Sequence, residues 1–211
     1  MIDDQLVARG ISEEATLGAM ARVPRERFVP DDLRHRAYDD NALSIGMGQT
    51  ISQPYIVARM TELLGLGRWS VEHPGRSPNA LDVGTGSGYQ AVILAELGAD
   101  VISMERDPVL ADRARARLAA MSDRIEVVVG DGSEGWPAAS PFDAIVVGAA
   151  APGVPPPLVD QLADDGRLVV PVGSRESQRL VLVWRHEGRP IRSEHDPCVF
   201  VPLVGRYGFA V

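Results

Sequence analysis

The stretch ALDVGTGSGYQA, residues 80–91, decides the fold. It starts as a short apolar strand and ends in a helix, with Gly84, Gly86 and Gly88 between the two. Glycine lacks a Cβ, so such a turn can bend sharply and let the backbone approach a ligand. Open α/β sheets hold nucleotides at this kind of turn, outside the carboxyl ends of the strands. A glycine-rich turn by itself is a weak signal, because an ordinary tight turn has the same composition.

The alternation continues downstream. VISME (101–105), IEVVVG (125–130), FDAIVVGA (142–149) and RLVVPVG (167–173) read as strands, and 88–98, 108–121 and 157–163 as helices. Strands alternating with helices give a mostly parallel sheet. QRLVLVWRHEGRPIRSE (178–194) has the pattern of a hairpin around Gly188, and CVFVPLVG (198–205) that of a last strand. Together they place antiparallel strands at one edge. The expected fold class is α/β, Rossmann-like, with a mostly parallel sheet and an antiparallel C-terminal edge.

Upstream, residues 11–23 read as a helix with Ser12 as N-cap and Glu13 and Glu14 in the first turn. Residues 54–64 read as a second, amphipathic helix, opened by Pro54 and stopped by Gly65. GRWSVEHPGRSPN (67–79) is polar and turn-rich and reads as a surface loop. The chain thus divides into an N-terminal helical cap (1–66), a connecting loop (67–79) and a nucleotide-binding body (80–211), one structural domain overall.

Two acids stand beside the glycine turn. Glu105 closes the second strand of the body, 21 positions after Gly84, where a carboxylate can accept hydrogen bonds from ribose hydroxyls. Asp131 and Gly132 follow the next strand, within reach of an adenine amino group. The spacing is G-x-G-x-G, not the G-x-G-x-x-G of dinucleotide sites. Asp82, two residues before Gly84, is a poor neighbour for a pyrophosphate and a tolerable one for a sulfonium and an ammonium. These features favour S-adenosylmethionine over a nicotinamide dinucleotide.

Composition narrows the partners. The net charge is −8, which argues against a nucleic-acid binder. Arg113, Arg115 and Arg117 read as a solvated helix face. Cys198 is the one cysteine, so neither a disulfide framework nor a thiolate metal site is expected, and the reducing cytoplasm fits. The N-terminus MIDDQLVARG has no secretory pattern, and no apolar run is long enough for a membrane span. No metal site and no membrane partner are expected; for oligomeric state a monomer is the default.

VPRERFVP (23–30), AYDDNALSIGMGQTISQPYIVARM (37–60), LDVGTGSGYQAVILAELG (81–98), GDGSEGW (130–136), PFDAIVVGAAAPGVPPPLVDQLADDGRLVVPVG (141–173) and FVPLVG (200–205) occur in order. Through these blocks the chain resembles bacterial protein-L-isoaspartate O-methyltransferases over nearly its whole length. GQTISQP (48–54) is particular to that family, whereas many methyltransferases share the glycine turn.

The resemblance implies that Ser52 is the active-site residue. It implies donor contacts from Thr50, Ile51, Ser52, Asp82, Gly84, Thr85, Gly86, Glu105, Asp131 and Gly132. It implies a substrate pocket formed by Ser52 with Val201, Pro202 and Leu203. The implied activity is methyl transfer from S-adenosylmethionine to the free α-carboxylate of isoaspartyl residues in damaged proteins or peptides, with S-adenosylhomocysteine as product. The ester then closes to a succinimide, whose hydrolysis restores some normal aspartate. Two departures bear on which peptides are accepted: Val199 stands where the family often has arginine, and the connection at 67–79 is longer than the family pattern suggests.

An acceptor carboxylate, with an ordinary pKa of about 4, is already ionised at neutral pH and needs no general base. His35, His73, His186 and His195 show no catalytic spacing. Small donors then suffice to place the nucleophile, and GQTISQP reads as a carboxylate holder in which Gly46 and Gly48 expose amides and Ser52 offers a hydroxyl. Alternatively Ser52 only caps helix 54–64. Two other functions use the same scaffold: methylation of a normal aspartate in a biosynthetic peptide, and non-catalytic holding of S-adenosylmethionine. Relatives of the first kind tend to carry extra sequence after FVPLVG, and this chain ends at Val211.

Overall fold

A computed structural model of the protein describes residues 1–210, the side chain of residue 70 excepted. The centre is a buried strand, β3 (Asn79–Val83), flanked by β4 (Asp100–Glu105) and β6 (Phe142–Val147), with β5 (Ile125–Val129) beyond β4. These strands run parallel, and β7 (Leu162–Gly173) joins β6 in the same sense. Every residue of β6 is buried, as a parallel strand covered on both faces requires. β8 (Gln178–His186) and β9 (Arg189–Cys198) add antiparallel, completing the order β5-β4-β3-β6-β7-β8-β9. The expected fold class is what the chain adopts.

Helices α4 (Tyr89–Glu96) and α5 (Pro108–Leu118) connect the first parallel strands, and α6 (Pro156–Asp160) precedes β7. Asp107 caps α5, accepting from the N–H groups of Val109 and Leu110 at 2.8 and 3.1 Å. Helices α1 (Glu14–Arg22) and α2 (Pro54–Leu64) belong to the N-terminal part. Pro54 opens α2, and Gly65 ends it at φ +68°, both as expected. One apolar core takes Met20 and Phe28 from that part together with Ile93 and Val101 from the body. Phe28 meets Tyr89 edge-on at 5.1 Å, and burying such a ring contributes about 1.5–3 kcal/mol.

The structure corrects several local expectations. Ser12 does not cap α1; the carboxylate of Glu62, on α2, accepts from the N–H groups of Ser12 and Glu13 at 2.8 and 3.1 Å. The N-cap is Glu13, and no side chain caps this helix. The connection 67–79 is not a plain loop: Leu66–Arg68 is a 3-10 turn and α3 (Trp69–Glu72) follows. Trp69 donates its indole N–H to Arg76 O at 2.9 Å, and Arg76 pairs with Asp143. The 198–205 strand does not form. β9 runs to Cys198, and the tail beyond makes only isolated bridges, Ala150 to Pro202 and Val204 to Phe209. Pro202 has no N–H to extend a ladder.

The arginine face of α5 is only partly solvated. Arg115 donates to Val127 O at 2.9 Å, and Arg117 donates to Ser87 O at 2.7 Å in the glycine turn. An antiparallel hairpin, β1 (Leu43–Gly46) and β2 (Gln49–Ile51), was also not expected. Its turn is made by Gly46, Met47 and Gly48, all at positive φ.

Candidate active site

The order β5-β4-β3-β6 reverses between β3 and β6, and the crevice outside the strand ends at such a point is where ligands bind in open α/β sheets. The glycine turn lies there. The N–H groups of Gly84 and Thr85 donate to Met104 O at 2.8 and 3.0 Å, and Gly148 N donates to Val83 O at 2.7 Å. Gly84 has φ +92°. A Cβ on Gly88 would lie 2.8 Å from Leu118 Cδ2, so glycine there serves close packing of the turn on α5.

Beneath the turn, Ser103 Oγ donates to Asp82 Oδ2 at 2.7 Å and lies 2.7 Å from Thr85 Oγ1. Asp82 Oδ1 is buried with no partner among the described residues. Burial, opposed by the Ser103 hydrogen bond and reinforced by the charge of Glu105, pushes the Asp82 carboxyl up to about 7. Near neutral pH it is divided between charged and neutral forms, so it repels an anion less than the sequence alone suggests.

A first cavity opens above this turn. It is lined by the glycines 84, 86, 132 and 148, by Val83, Met104, Ala149 and the tail segment 201–204, and by the polar residues Gln49, Thr50, Glu105 and Arg106. A Cβ on Gly132 would come within 2.3 Å of Val83 Cγ1. Glu105 is the carboxylate on the rim. Its Oε2 accepts from Gly86 N at 3.0 Å, and its Oε1 from Arg106 N and Asp107 N at 2.8 and 3.1 Å. Oε1 is thus fully used, while Oε2 keeps one acceptor site for a ribose hydroxyl. Four close-packed glycines, apolar side chains and one fixed carboxylate suit an unphosphorylated nucleoside.

A second cavity adjoins the first, and Thr50 lines both. Its walls include Asp40, Asn41, Ser52, Gln53, Ile56 and the segment 197–200. Tyr55 Oη and Arg59 Nε donate to Asp196 at 2.8 and 2.9 Å, which draws the end of β9 over α2. Gln53 Nε2 donates to Asp40 O at 3.0 Å, joining the two N-terminal walls. Arg9 pairs with the Asp40 carboxylate at 2.8 Å, offsetting its repulsion of an anionic guest. Burial pushes the Cys198 thiol up to about 11, so it is protonated and a poor nucleophile.

The cap-only role of Ser52 finds no support. The N-cap of α2 is Gln53, and no side chain caps that helix. The N-terminus of α2 therefore keeps donors and a dipole that favour an anion. Gly46 and Gly48 belong to the hairpin turn and line neither cavity.

The sequence-predicted residues distribute unevenly. Thr50, Gly84, Gly86, Glu105 and Gly132 line the first cavity, and Ser52 lines the second. Ile51, Asp82 and Thr85 lie behind these surfaces, Ile51 within the core and the other two under the turn. Asp131 faces the tail: its Oδ1 accepts from Ser133 N and Oγ at 2.9 and 2.7 Å, and its Oδ2 from Arg206 N at 2.7 Å. Burial opposes ionisation there, but these hydrogen bonds hold the carboxyl below its usual range. Val201, Pro202 and Leu203 line the first cavity, while the preceding residues, Pro197 to Phe200, line the second. Sequence reasoning missed Asp40, Asn41 and Gln53 as walls. They lie inside the family-specific block 37–60, which is the one signal that could have found them.

Among the described residues no three His, Cys, Asp or Glu side chains are placed to hold a metal ion. Nor, among the described residues, is any helix long and apolar enough to cross a membrane.

Comparison with known proteins adds the chemistry. The family model for protein-L-isoaspartate(D-aspartate) O-methyltransferase matches residues 1–208. A protein-L-isoaspartate O-methyltransferase from Methanoculleus marisnigri is 53% identical over 211 residues, covering 99% of this chain and 92% of that one. Another from Opitutus terrae is 52% identical over 205 residues, covering 96% and 84%. Among solved structures, a candidate protein-L-isoaspartate O-methyltransferase from Plasmodium falciparum, in complex with S-adenosyl-L-homocysteine, superposes with a TM-score of 0.80 at 26% identity, covering 96% of each chain.

Proposed function

The chain belongs to the protein-L-isoaspartate(D-aspartate) O-methyltransferase family, and from that premise we propose how its two cavities divide the work. It is an S-adenosylmethionine-dependent protein carboxyl O-methyltransferase acting on the free α-carboxylate of L-isoaspartyl residues. The observation that carries the reading is the meeting of a nucleoside-shaped cavity and an anion-favouring one at a single residue, Thr50. The first cavity takes the donor, which supplies a methyl group on a sulfonium and leaves as S-adenosylhomocysteine. Glu105 would accept from its ribose, and Gly84, Gly86 and Gly132 would carry it on backbone.

The second cavity takes the acceptor. An isoaspartyl carboxylate arrives ionised, so the chain need not remove a proton. Its task is to align one oxygen with the methyl group and strip part of its water. Ser52 Oγ and the N-terminus of α2 supply weak, neutral donors for that. The sequence contains no lysine, so no lysine ammonium can hold the nucleophile too tightly. Val199 is 74% exposed and lines this cavity, which supports a role for it in meeting residues that flank the target. The chain works in the cytoplasm as a monomer; the net charge of −8 and the lone cysteine support a reducing compartment and no nucleic-acid partner.

The test is a pair of peptides differing only in aspartate or isoaspartate, with S-adenosylhomocysteine release as readout. Turnover of the isoaspartyl peptide alone is expected. Turnover confined to the aspartyl peptide would refute the assignment.

A further inference from the structure

Arg25 is a fully buried arginine, 0% exposed, in the 3-10 turn Arg25–Phe28. Its Nε donates to Ala37 O at 2.8 Å and its Nη2 to Ser52 O at 2.6 Å. Nη1 is buried with no partner among the described residues. The guanidinium carbon lies 5.0 Å from the centre of the Tyr89 ring. No salt bridge to it is formed among the described residues, and its hydrogen-bond acceptors are two backbone carbonyls.

A buried cation without a carboxylate is expensive, and an apolar side chain of similar size would fill the space at lower cost. Such a group needs a reason. Ala37 begins the segment that supplies Asp40, Asn41 and Ala42 to the second cavity, and Ser52 lines the same cavity from a separate segment. The Ser52 carbonyl also stands outside the helical ladder, whose first bond runs from Val57 N to Gln53 O at 3.1 Å. It therefore needs an external donor. A planar guanidinium reaches two acceptors at once, which an ammonium on a single stem cannot do with the same fixed geometry.

We propose that Arg25 is a positioning residue for methyl transfer. By donating to the carbonyls of Ala37 and Ser52 it locks the two walls of the acceptor cavity together, and it fixes the Ser52 hydroxyl against the incoming carboxylate. The inference rests on the function proposed above. The charge it keeps one hydrogen bond from Ser52 further favours an anion in that cavity.

The test compares Arg25→Met, Arg25→Lys and wild type at a temperature where melting curves show all of them folded. Three quantities are read: kcat and KM for the isoaspartyl peptide, the donor Kd by calorimetry, and amide hydrogen exchange of residues 38–42, 51–53 and 101–105. Arg25→Met should lower kcat/KM roughly 100-fold and Arg25→Lys roughly 10-fold, the scale of a reactant misplaced by about 1 Å. Donor Kd should stay within about twofold, since neither Ala37 nor Ser52, whose carbonyls Arg25 holds, lines the donor cavity. Exchange should quicken at 38–42 and 51–53 and stay constant at 101–105, in a strand that Arg25 does not touch.

Wild-type kcat/KM in Arg25→Met, unchanged exchange at 51–53, or an equal fall in donor affinity overturns the proposal. If Arg25→Met does not fold, Arg25→Lys decides by the same criteria. If wild type leaves the isoaspartyl peptide untouched, the proposed function has failed, and the exchange pattern alone decides whether Arg25 holds these walls.

Discussion

Ser52→Ala removes one hydroxyl from the wall of the second cavity and disturbs little else. Ser52 is half-buried, it does not cap α2, and its contact with Arg25 runs through the backbone carbonyl, which alanine keeps. Its loss should therefore change stability by no more than about 0.5 kcal/mol. Donor affinity should hold, because Ser52 lines only the acceptor side. The catalytic effect follows from charge. As the methyl group moves, the carboxylate oxygen loses charge, so a hydrogen bond to it is weaker in the transition state than in the ground state. It cannot accelerate the reaction by charge stabilisation. What it contributes is alignment, and a misplacement of about 1 Å costs roughly 100-fold, equivalent to about 2.7 kcal/mol. The assay is S-adenosylhomocysteine release from an isoaspartyl peptide at saturating donor, with donor Kd from calorimetry. Turnover should fall roughly 100-fold at constant donor Kd, and Ser52→Thr should keep much of it. Wild-type turnover in Ser52→Ala, or parallel losses of turnover and donor affinity, would refute the alignment argument.

Glu105→Ala leaves the N–H groups of Gly86, Arg106 and Asp107 without their acceptor; a stability loss of about 1–3 kcal/mol and weakened donor binding are expected, from a urea melt and a calorimetric titration, and unchanged donor Kd would remove Glu105 from the site. Gly132→Ala forces a methyl group to within 2.3 Å of Val83 Cγ1, so it should cost about 1–3 kcal/mol and reduce donor affinity, and an undisturbed melt would show that the lining at Gly132 is softer than described. Asp82 supplies a pH test. Its folded value of about 7 lies above the ordinary 3.8, so its stabilising contribution is full below pH 3.8 and is lost as pH rises through 7. Asp82→Asn has no such proton. The stability advantage of wild type over Asp82→Asn should shrink between pH 4 and 7 by up to about 1.4 kcal/mol per pH unit, and a pH-independent difference would exclude a buried titrating carboxyl.

Most of the fold was legible because its signals are local. Apolar runs, glycine at 84, 86 and 88, and the Pro54 and Gly65 boundaries of α2 act within a few residues of themselves. The misplaced elements share the opposite property. Ser12 looked like a cap by composition, yet Glu62, 50 residues away, provides the acceptor. The tail 198–205 looked like a strand by its valines, yet its backbone bonds go to Ala150, and Pro202 breaks any ladder.

The site divides along the same line. Sequence alone determined the class of donor, through the glycine turn and Glu105 at a strand end, and it marked the block 48–54 as the acceptor side. Only the tertiary structure decided which side chains face a guest. It turned Asp131 toward Arg206, put 201–203 on the first cavity and 197–200 on the second, and set Arg25 behind Ser52. The reason is physical: a strand's period or a turn's chemistry is written in adjacent residues, whereas the direction of a buried polar group is set by whichever distant carbonyl or carboxylate satisfies it once the chain has closed.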